Sequence, residues 1–259
     1  MHMLVALGYT LPRLMAMFAM IPVLSRQALP GMLRVGMVSA LGVMVVPTVF
    51  EQVQVGERMG VMPLFIVAKE ALVGAGIGFV MAIPLWAFDT MGSFVDNQRG
   101  ASIAQTLNPL TGHDSSPLGE LFSQAAVTFL VASGGLLLLL DAAYRSYDLW
   151  PVFETLPRMT PEAPALLLGQ LDRLMLLAVL LGAPVFVSML LAEIGLALVS
   201  RFAPQLQVFF LAMPIKSGLA MFVFAVYAVT LLEQGGAIVN DMPGVLDIVG
   251  AVLPPRGTR

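Results

Sequence analysis

The sequence predicts an all-α membrane protein made of helical hairpins. Of its 259 residues, 58% are hydrophobic and only 11% are charged, and the mean hydropathy is +0.90. Soluble domains of this length do not have such a composition. The apolar residues also gather in stretches near or above the roughly 20 residues that a helix needs to cross a bilayer core. We therefore expect about six long apolar helices, some of them kinked.

Six apolar stretches define these helices in order. They cover approximately residues 3–24, 30–50, 61–88, 121–140, 166–200 and 206–232. The breaks between them, rich in polar residues, glycine or proline, fall at 25–30, 51–60, 96–119, 147–164 and 201–204. Two stretches exceed one crossing, and Pro84 in the third and Gly182 with Pro184 in the fifth predict kinks or helical hairpins there. We expect a single membrane domain over residues 1–259.

Charge and cysteine content exclude several function classes. The net charge is −3, and the arginines are scattered singly, so no basic surface for nucleic acid is predicted. The chain has no cysteine, and its two histidines, His2 and His113, are too few for a metal site. Ser115 and Ser116 have no base at a recognisable spacing. We expect no cofactor and no enzymatic activity.

The ionisable residues inside the apolar stretches are few, and each must find a partner because a charge facing hydrocarbon is costly. They are Arg13, Arg34, Lys69, Glu70, Glu193 and Lys216. Lys69 and Glu70 point about 100° apart on a helix, so we expect partners elsewhere rather than a mutual pair. Glu193 and Lys216 flank one turn, which predicts a buried pair. We interpret these charges as structural or as contacts at a subunit interface, and a proton relay is the alternative.

Two local patterns concern helix packing and function. Gly74-Ala-Gly-Ile-Gly78 lies inside an apolar segment and predicts close approach of another helix. The polar, turn-rich island between Asp96 and Gly119 is the stronger functional signal. Irregular backbone at membrane depth is tolerated only against protein or water, so this island is expected to guard or line a path.

Long motifs in the chain resemble the FliR/SctT family of type III export-apparatus proteins. They occupy residues 70–79, 96–104, 108–112, 116–119, 191–201 and 203–217, and they cover essentially the whole chain in the family's order. Gln207 stands where asparagine is common. Met213-Pro-Ile-Lys-Ser217 and Tyr144-Arg-Ser-Tyr-Asp-Leu-Trp-Pro151 are more similar to the injectisome branch (SctT, also called YscT, HrcT or SpaR) than to the flagellar FliR branch.

The resemblance implies a multi-pass protein of the bacterial inner membrane that projects partly toward the periplasm. Its expected partners are SctR-like and SctS-like subunits in a helical pore assembly, together with SctU-like and SctV-like subunits, membrane lipid and secreted proteins in transit. No nucleic acid is expected among them. The implied function is that of a structural and gating subunit of the type III export gate.

In that family one loop helps to close the pore before secretion begins. The corresponding residues here are Gln105, Thr106, Leu107, Asn108, Pro109, Leu110, Thr111, Gly112, His113, Asp114, Ser115, Ser116 and Pro117. Asp96 and Arg99, at the entrance of this loop, are candidates for anchoring it by charge-assisted hydrogen bonds, and an ordinary helix-end pair is the alternative. Glu70, Glu193 and Lys216 are the remaining candidates for buried charges or interface contacts.

A different function class stays open at this point. In a secondary transporter or an ion or proton channel, Glu70, Glu193, Lys69 and Lys216 would form a path through the membrane. The sequence shows no inverted repeat and no substrate-sized cluster of polar residues, which favours the export gate.

Overall fold

The computed structural model describes residues 2–24, 30–56, 62–101, 116–154, 160–203, 208–240 and 250. Within these ranges the regular structure is entirely helical, which confirms the predicted fold class. The α-helices are α1 His2–Met20, α2 Gly31–Gly56, α3 Pro63–Arg99, α4 Pro117–Ala132, α5 Gly135–Leu149, α6 Ala163–Phe202 and α7 Val208–Asn240. A short 3-10 helix, Pro22–Leu24, follows α1.

The number of helices that could cross a membrane is smaller than the six expected. Four helices in the described ranges are long and apolar enough, and α4 with α5 would make a fifth if the two are counted as one broken span. The predicted stretch 121–140 is interrupted because Gly134 adopts a left-handed conformation, with φ +81°, between α4 and α5. The first stretch forms α1, whose apolar part, Val5–Met20, is too short to count as a membrane-crossing helix.

The two longest stretches are continuous helices rather than hairpins. α3 runs for 37 residues through Pro84, and α6 runs for 40 residues through Gly182 and Pro184. Proline is tolerated inside membrane helices because neighbouring groups satisfy the freed carbonyl. The polar island also begins as helix, since α3 ends only at Arg99, where Gly100 takes the positive φ of +83° typical of a helix C-terminus.

The described chain divides into two compact units. Unit 1 contains the chain up to Ile83 together with Leu130–Leu171, and unit 2 contains Pro84–Phe129 and Asp172–Val239. In unit 1, α1 packs on α2 and α3 around fully buried Leu14, Met17 and Val49. The α1–α3 contact is close, because a Cβ added at Gly74 would lie 2.0 Å from the carbonyl oxygen of Arg13. A Cβ added at Gly78 would likewise lie 2.5 Å from the carbonyl oxygen of Met17. The predicted face of small residues is therefore confirmed.

Unit 2 has its own hydrophobic core. Met91, Val95, Val185 and Met189 have no exposed surface. Outside this core, little of the surface of α6 and α7 is buried by the rest of the chain. Only 33% of the most apolar part of α6 and 17% of that of α7 are buried, against 67% for α3. α3 is therefore a helix of the interior, whereas α6 and α7 present long apolar faces to their surroundings.

Candidate functional site

The two ends of the polar island meet at the carboxylate of Asp96, near the end of α3 in unit 2. Asp96 is only 2% exposed. Its Oδ1 accepts a hydrogen bond from Arg99 Nε at 2.7 Å, and its Oδ2 accepts bonds from the Ser116 hydroxyl and from the backbone N–H of Leu118, the latter at 2.9 Å. We call Asp96, Arg99 and Ser116 the clasp, because they join the end of α3, which precedes the predicted plug, to Ser116, the last residue but one of that plug.

Ser116 belongs to the clasp and is also the N-cap of α4. Its Oγ donates to Asp96 and accepts the N–H of Gly119 at 2.9 Å. One orphan amide of the first turn is thus satisfied by Ser116 and another, that of Leu118, by Asp96 from a different helix. Pro117 occupies the first helical position, where a missing N–H costs nothing. Arg99 pairs with Asp96 three positions earlier in α3, as in an ordinary helix-end pair, and Asp96 also accepts bonds from Ser116 and Leu118. The anchoring of the plug by these residues stays a prediction.

Glycines allow the backbones to approach beside the clasp. A Cβ at Gly92 would lie 2.6 Å from the backbone nitrogen of Gly119, and a Cβ at Gly119 would lie 2.6 Å from Ser93 Oγ. Neither position can take a larger side chain without separating α3 from α4. Of the predicted plug, Ser116 and Pro117 are placed by these contacts, and Gln105–Ser115 lie outside the described residues.

The expected Glu193–Lys216 pair forms in unit 2, with Lys216 Nζ 3.0 Å from Glu193 Oε2. Its predicted burial is wrong for one partner, because the Glu193 side chain is 55% exposed and that of Lys216 is 12% exposed. Lys216 also donates to the carbonyl oxygen of Gln98 at 3.4 Å. A cation is favourable there, since the last carbonyls of a helix lack intrahelical donors.

The most deeply buried charges lie in unit 1 and centre on Arg13 of α1. Arg13 is 1% and Glu70 is 0% exposed. Arg13 Nε and Nη2 donate to the two oxygens of Glu70 at 2.7 and 2.9 Å, which is the bidentate geometry that arginine favours. The remaining donors reach the carbonyl oxygens of Ser146 at 2.7 Å and of Trp150 at 2.8 Å, at the end of α5.

Lys69 completes this group, and its placement corrects an expectation. Its Nζ lies 2.8 Å from Glu70 Oε1, so the adjacent residues do pair. The 100° offset between neighbours limits short side chains, but the long lysine stem can bend back toward its neighbour. As expected, Lys69 has further partners, the carbonyl oxygens of Pro151, Val152 and Glu154 at 3.3, 2.6 and 3.1 Å.

Aromatic side chains cover the two cations of this ion cluster, which we define as Arg13, Lys69 and Glu70. The Arg13 guanidinium lies 4.2 Å from the ring centre of Tyr147, and Lys69 Nζ lies 5.3 Å from that of Trp150. Both aromatic residues belong to the 144–151 motif, which the sequence indicated only as a feature of the injectisome branch. The role of this motif in receiving Arg13 and Lys69 was missed, because no local pattern relates residues so far apart in the chain.

These arrangements join helices. Every buried side-chain nitrogen or oxygen in the described ranges has a hydrogen-bond partner. The same residues include no group of three or more histidine or acidic side chains that could hold a metal ion. The charges are suited to fixing helix positions.

Comparison with known proteins identifies the family. A family model described as "Bacterial export proteins, family 1" matches residues 4–242. The chain belongs to this family. This bacterial export protein is 40% identical over 251 residues to the Yop proteins translocation protein T of Yersinia pestis, covering 96% of the chain and 95% of the relative. It is 30% identical over 223 residues to the surface presentation of antigens protein SpaR of Salmonella typhimurium, with 86% and 81% covered.

A flagellar relative of this bacterial export protein is more distant. The flagellar biosynthetic protein FliR of Bacillus subtilis is 29% identical over 245 residues, with 92% of the chain and 93% of the relative covered. The predicted FliR/SctT membership is confirmed, and the higher identity to the Yersinia protein agrees with the injectisome branch. Family members are structural components of the export apparatus of secretion systems, so this export protein is not an enzyme. It serves type III protein export as an integral inner-membrane protein with several apolar helices.

Proposed function

We propose that this chain is a gating subunit of the type III export gate, which lines and plugs the pore through which unfolded protein substrates pass. The segment Gln105–Pro117 closes the pore at rest in this proposal. SctR-like and SctS-like subunits complete the pore, SctU-like and SctV-like subunits adjoin it, and part of the assembly projects toward the periplasm. Gating is passive, because an ATPase and the proton motive force, supplied through other subunits, provide the energy.

The clasp is the observation that carries this proposal. Asp96 and Ser116 are 20 positions apart and bonded to each other, so the segment between them leaves and returns at one place. Arg99 of α3 and Leu118 of α4 also donate to Asp96, so both helices are bonded to the carboxylate at this point. A segment with fixed ends can change conformation while α3 and α4 keep their own hydrogen bonds, which is the property that a displaceable plug needs.

The uncovered faces of α6 and α7 support a place inside a larger assembly. Large apolar side chains are more than half exposed on both helices, including Leu191 (63%), Phe202 (85%), Phe210 (67%) and Val226 (71%). Helices that are apolar on nearly every side are stable only against lipid or other apolar helices. SctR-like and SctS-like membrane subunits would provide such helices.

The charges favour this reading over the ion path of a transporter. Glu70 accepts hydrogen bonds from Arg13 and pairs with Lys69, and Lys69 also donates to backbone carbonyls, so the two residues have few remaining positions for a transported ion. A relay needs groups that exchange partners, whereas these form a saturated structural cluster.

The test is ion leakage through the assembled complex. The chain is co-expressed with its SctR-like and SctS-like subunits, purified and reconstituted into liposomes. A shorter glycine-serine linker in place of residues 106–114 retains Asp96, Ser116 and Pro117. We expect the same hetero-oligomer by native mass spectrometry and a faster release of small ions. Asp96→Asn should give a smaller rise, because it weakens charge-assisted bonds that contribute about 1.5–3 kcal/mol.

The matched control is Arg99→Gln, which leaves the contacts of Asp96 with Ser116 and Leu118 in place and should leak less than Asp96→Asn. Normal assembly with an unchanged leak in the linker variant would remove the plug assignment. Failure of the unaltered chain to co-purify with the other export subunits would overturn the proposed function as a whole.

A further inference from the structure

A cleft in unit 1 places Arg34 beside apolar side chains. Its volume is about 400 Å³, and it lies between α1, the first turns of α2 and one residue of α3. Met15, Phe18 and Ala19 line it from α1, and Val35 and Val38 line it from α2. Among the described residues of its wall, Arg34 is the one with a charged side chain.

Arg34 is placed where no residue that the structure describes compensates its charge. Its guanidinium has no hydrogen bond or ion pair with any residue that the structure describes, whereas Arg13 and Arg99 are both paired. It lies in the first turn of α2, which carries no acidic residue. The positive end of the helix dipole makes that turn unfavourable for a cation and favourable for an anion. Both features indicate that this turn can accept an anionic group that the described residues do not supply.

The depth of Arg34 indicates the kind of anion. The apolar span of α2 begins at Gly31, and Arg34 lies about 4.5 Å along the helix from its start, so a bilayer crossed by this span would have its headgroups near Arg34. From there the cleft follows α1 over Pro12–Ala19, a length of about 10 Å. A cation at headgroup depth beside an apolar cleft matches the two parts of a phospholipid.

The cleft is too narrow for a protein helix. A volume of about 400 Å³ over about 10 Å corresponds to a cross-section of about 40 Å², roughly half of what a helix 10 Å wide requires. An acyl chain is much thinner than a helix and has no polar groups to satisfy. We propose that this cleft binds an anionic phospholipid, whose phosphate contacts Arg34 and one of whose acyl chains lies along Ala19 and Val35.

The test is lipid retention by the purified chain in native mass spectrometry. Equal amounts of phosphatidylglycerol and phosphatidylcholine with identical acyl chains are added in an uncharged detergent. The unaltered chain should retain phosphatidylglycerol in about five-fold preference, as expected for one arginine at an anionic surface. Arg34→Gln should abolish the preference. Ala19→Trp keeps the cation, fills the cleft and should reduce the retention of both lipids.

The matched control is Arg145→Gln, which removes the same charge from an exposed pair with Asp141 in the same unit and should retain the preference. Equal retention by the unaltered chain and Arg34→Gln would overturn the proposal, as would an equal loss in Arg145→Gln. Displacement of the lipid by inorganic phosphate would identify a free-anion site instead. If the co-expressed assembly excludes phosphatidylglycerol and Arg34→Gln releases a partner subunit, an acidic side chain of that subunit is the occupant and the lipid proposal is wrong.

Discussion

The ion cluster of unit 1 and the Glu193–Lys216 pair of unit 2 use the same residue types in opposite ways. Arg13, Lys69 and Glu70 are 1%, 7% and 0% exposed, and their donors reach five backbone carbonyl groups beyond the shared carboxylate. Glu193 is 55% exposed and has one ionic partner. The first arrangement fixes three helices and the segment after α5, whereas the second leaves a carboxylate edge open to its surroundings.

The difference shows which charges can change without loss of the fold. A buried ion cluster is stable only when every member has its partners, so removal of one leaves uncompensated charge in a medium that cannot solvate it. An exposed ion pair is screened by water and salt, so its removal changes the stability of the fold little. Glu193 and Lys216 are therefore expected to respond to partners, whereas Arg13, Lys69 and Glu70 are expected to hold the fold.

The largest expected effect comes from Glu70→Gln. It leaves Arg13 and Lys69 as buried cations without a counter-charge, which should lower the free energy of unfolding by about 3–5 kcal/mol. The measurement is thermal or denaturant unfolding of the purified chain in detergent. Asp141→Asn, which removes a carboxylate from the exposed Arg145 pair of the same unit, should change stability by less than about 1 kcal/mol. Equal effects of the two variants would show that the buried ion cluster stabilises the fold no more than the exposed pair does.

A smaller effect is expected from the glycine that brings α3 to Arg13. A methyl group at Gly74 would meet the backbone of Arg13, so Gly74→Ala should destabilise by about 1–3 kcal/mol as the two helices separate. Gly76, in the same helix, has nothing within 4 Å of an added Cβ. Gly76→Ala should therefore be neutral or should stabilise by up to about 1 kcal/mol, through helix propensity alone. The same unfolding assay measures both, and a destabilising Gly76→Ala would show that α3 is packed differently.

The smallest effect is expected from Glu193→Gln. The carboxylate is more than half exposed, so its loss should reduce the stability of the isolated chain by at most about 1 kcal/mol. Lys216→Met should cost more, because the Gln98 carbonyl loses its donor as well. Unfolding midpoints of the two variants test this order. A loss in Glu193→Gln as large as that in Glu70→Gln would contradict the comparison of the two regions.

Sequence reasoning was most successful where the signal is local. Composition and apolar length predicted the helical membrane class, and the expected pairing of Glu193 with Lys216, on consecutive helices, is present. The expected six spans are not confirmed in the described ranges, where the apolar character of residues 121–140 continues through Gly134 although the helix breaks there. Apolarity reports on burial in lipid or protein and does not report on the continuity of a helix.

The sequence by itself determined the family, the helical class and the presence of a polar island among apolar segments, since these depend on residue identity and order along the chain. Only the tertiary structure decided that Arg13 meets Glu70 57 positions away, that Lys69 bends toward its neighbour and that Asp96 bonds to Ser116. The physical reason is that a buried charge takes whichever donors and acceptors the packed helices bring within about 3 Å, and the packing of helices is set by small residues such as Gly74 and Gly92.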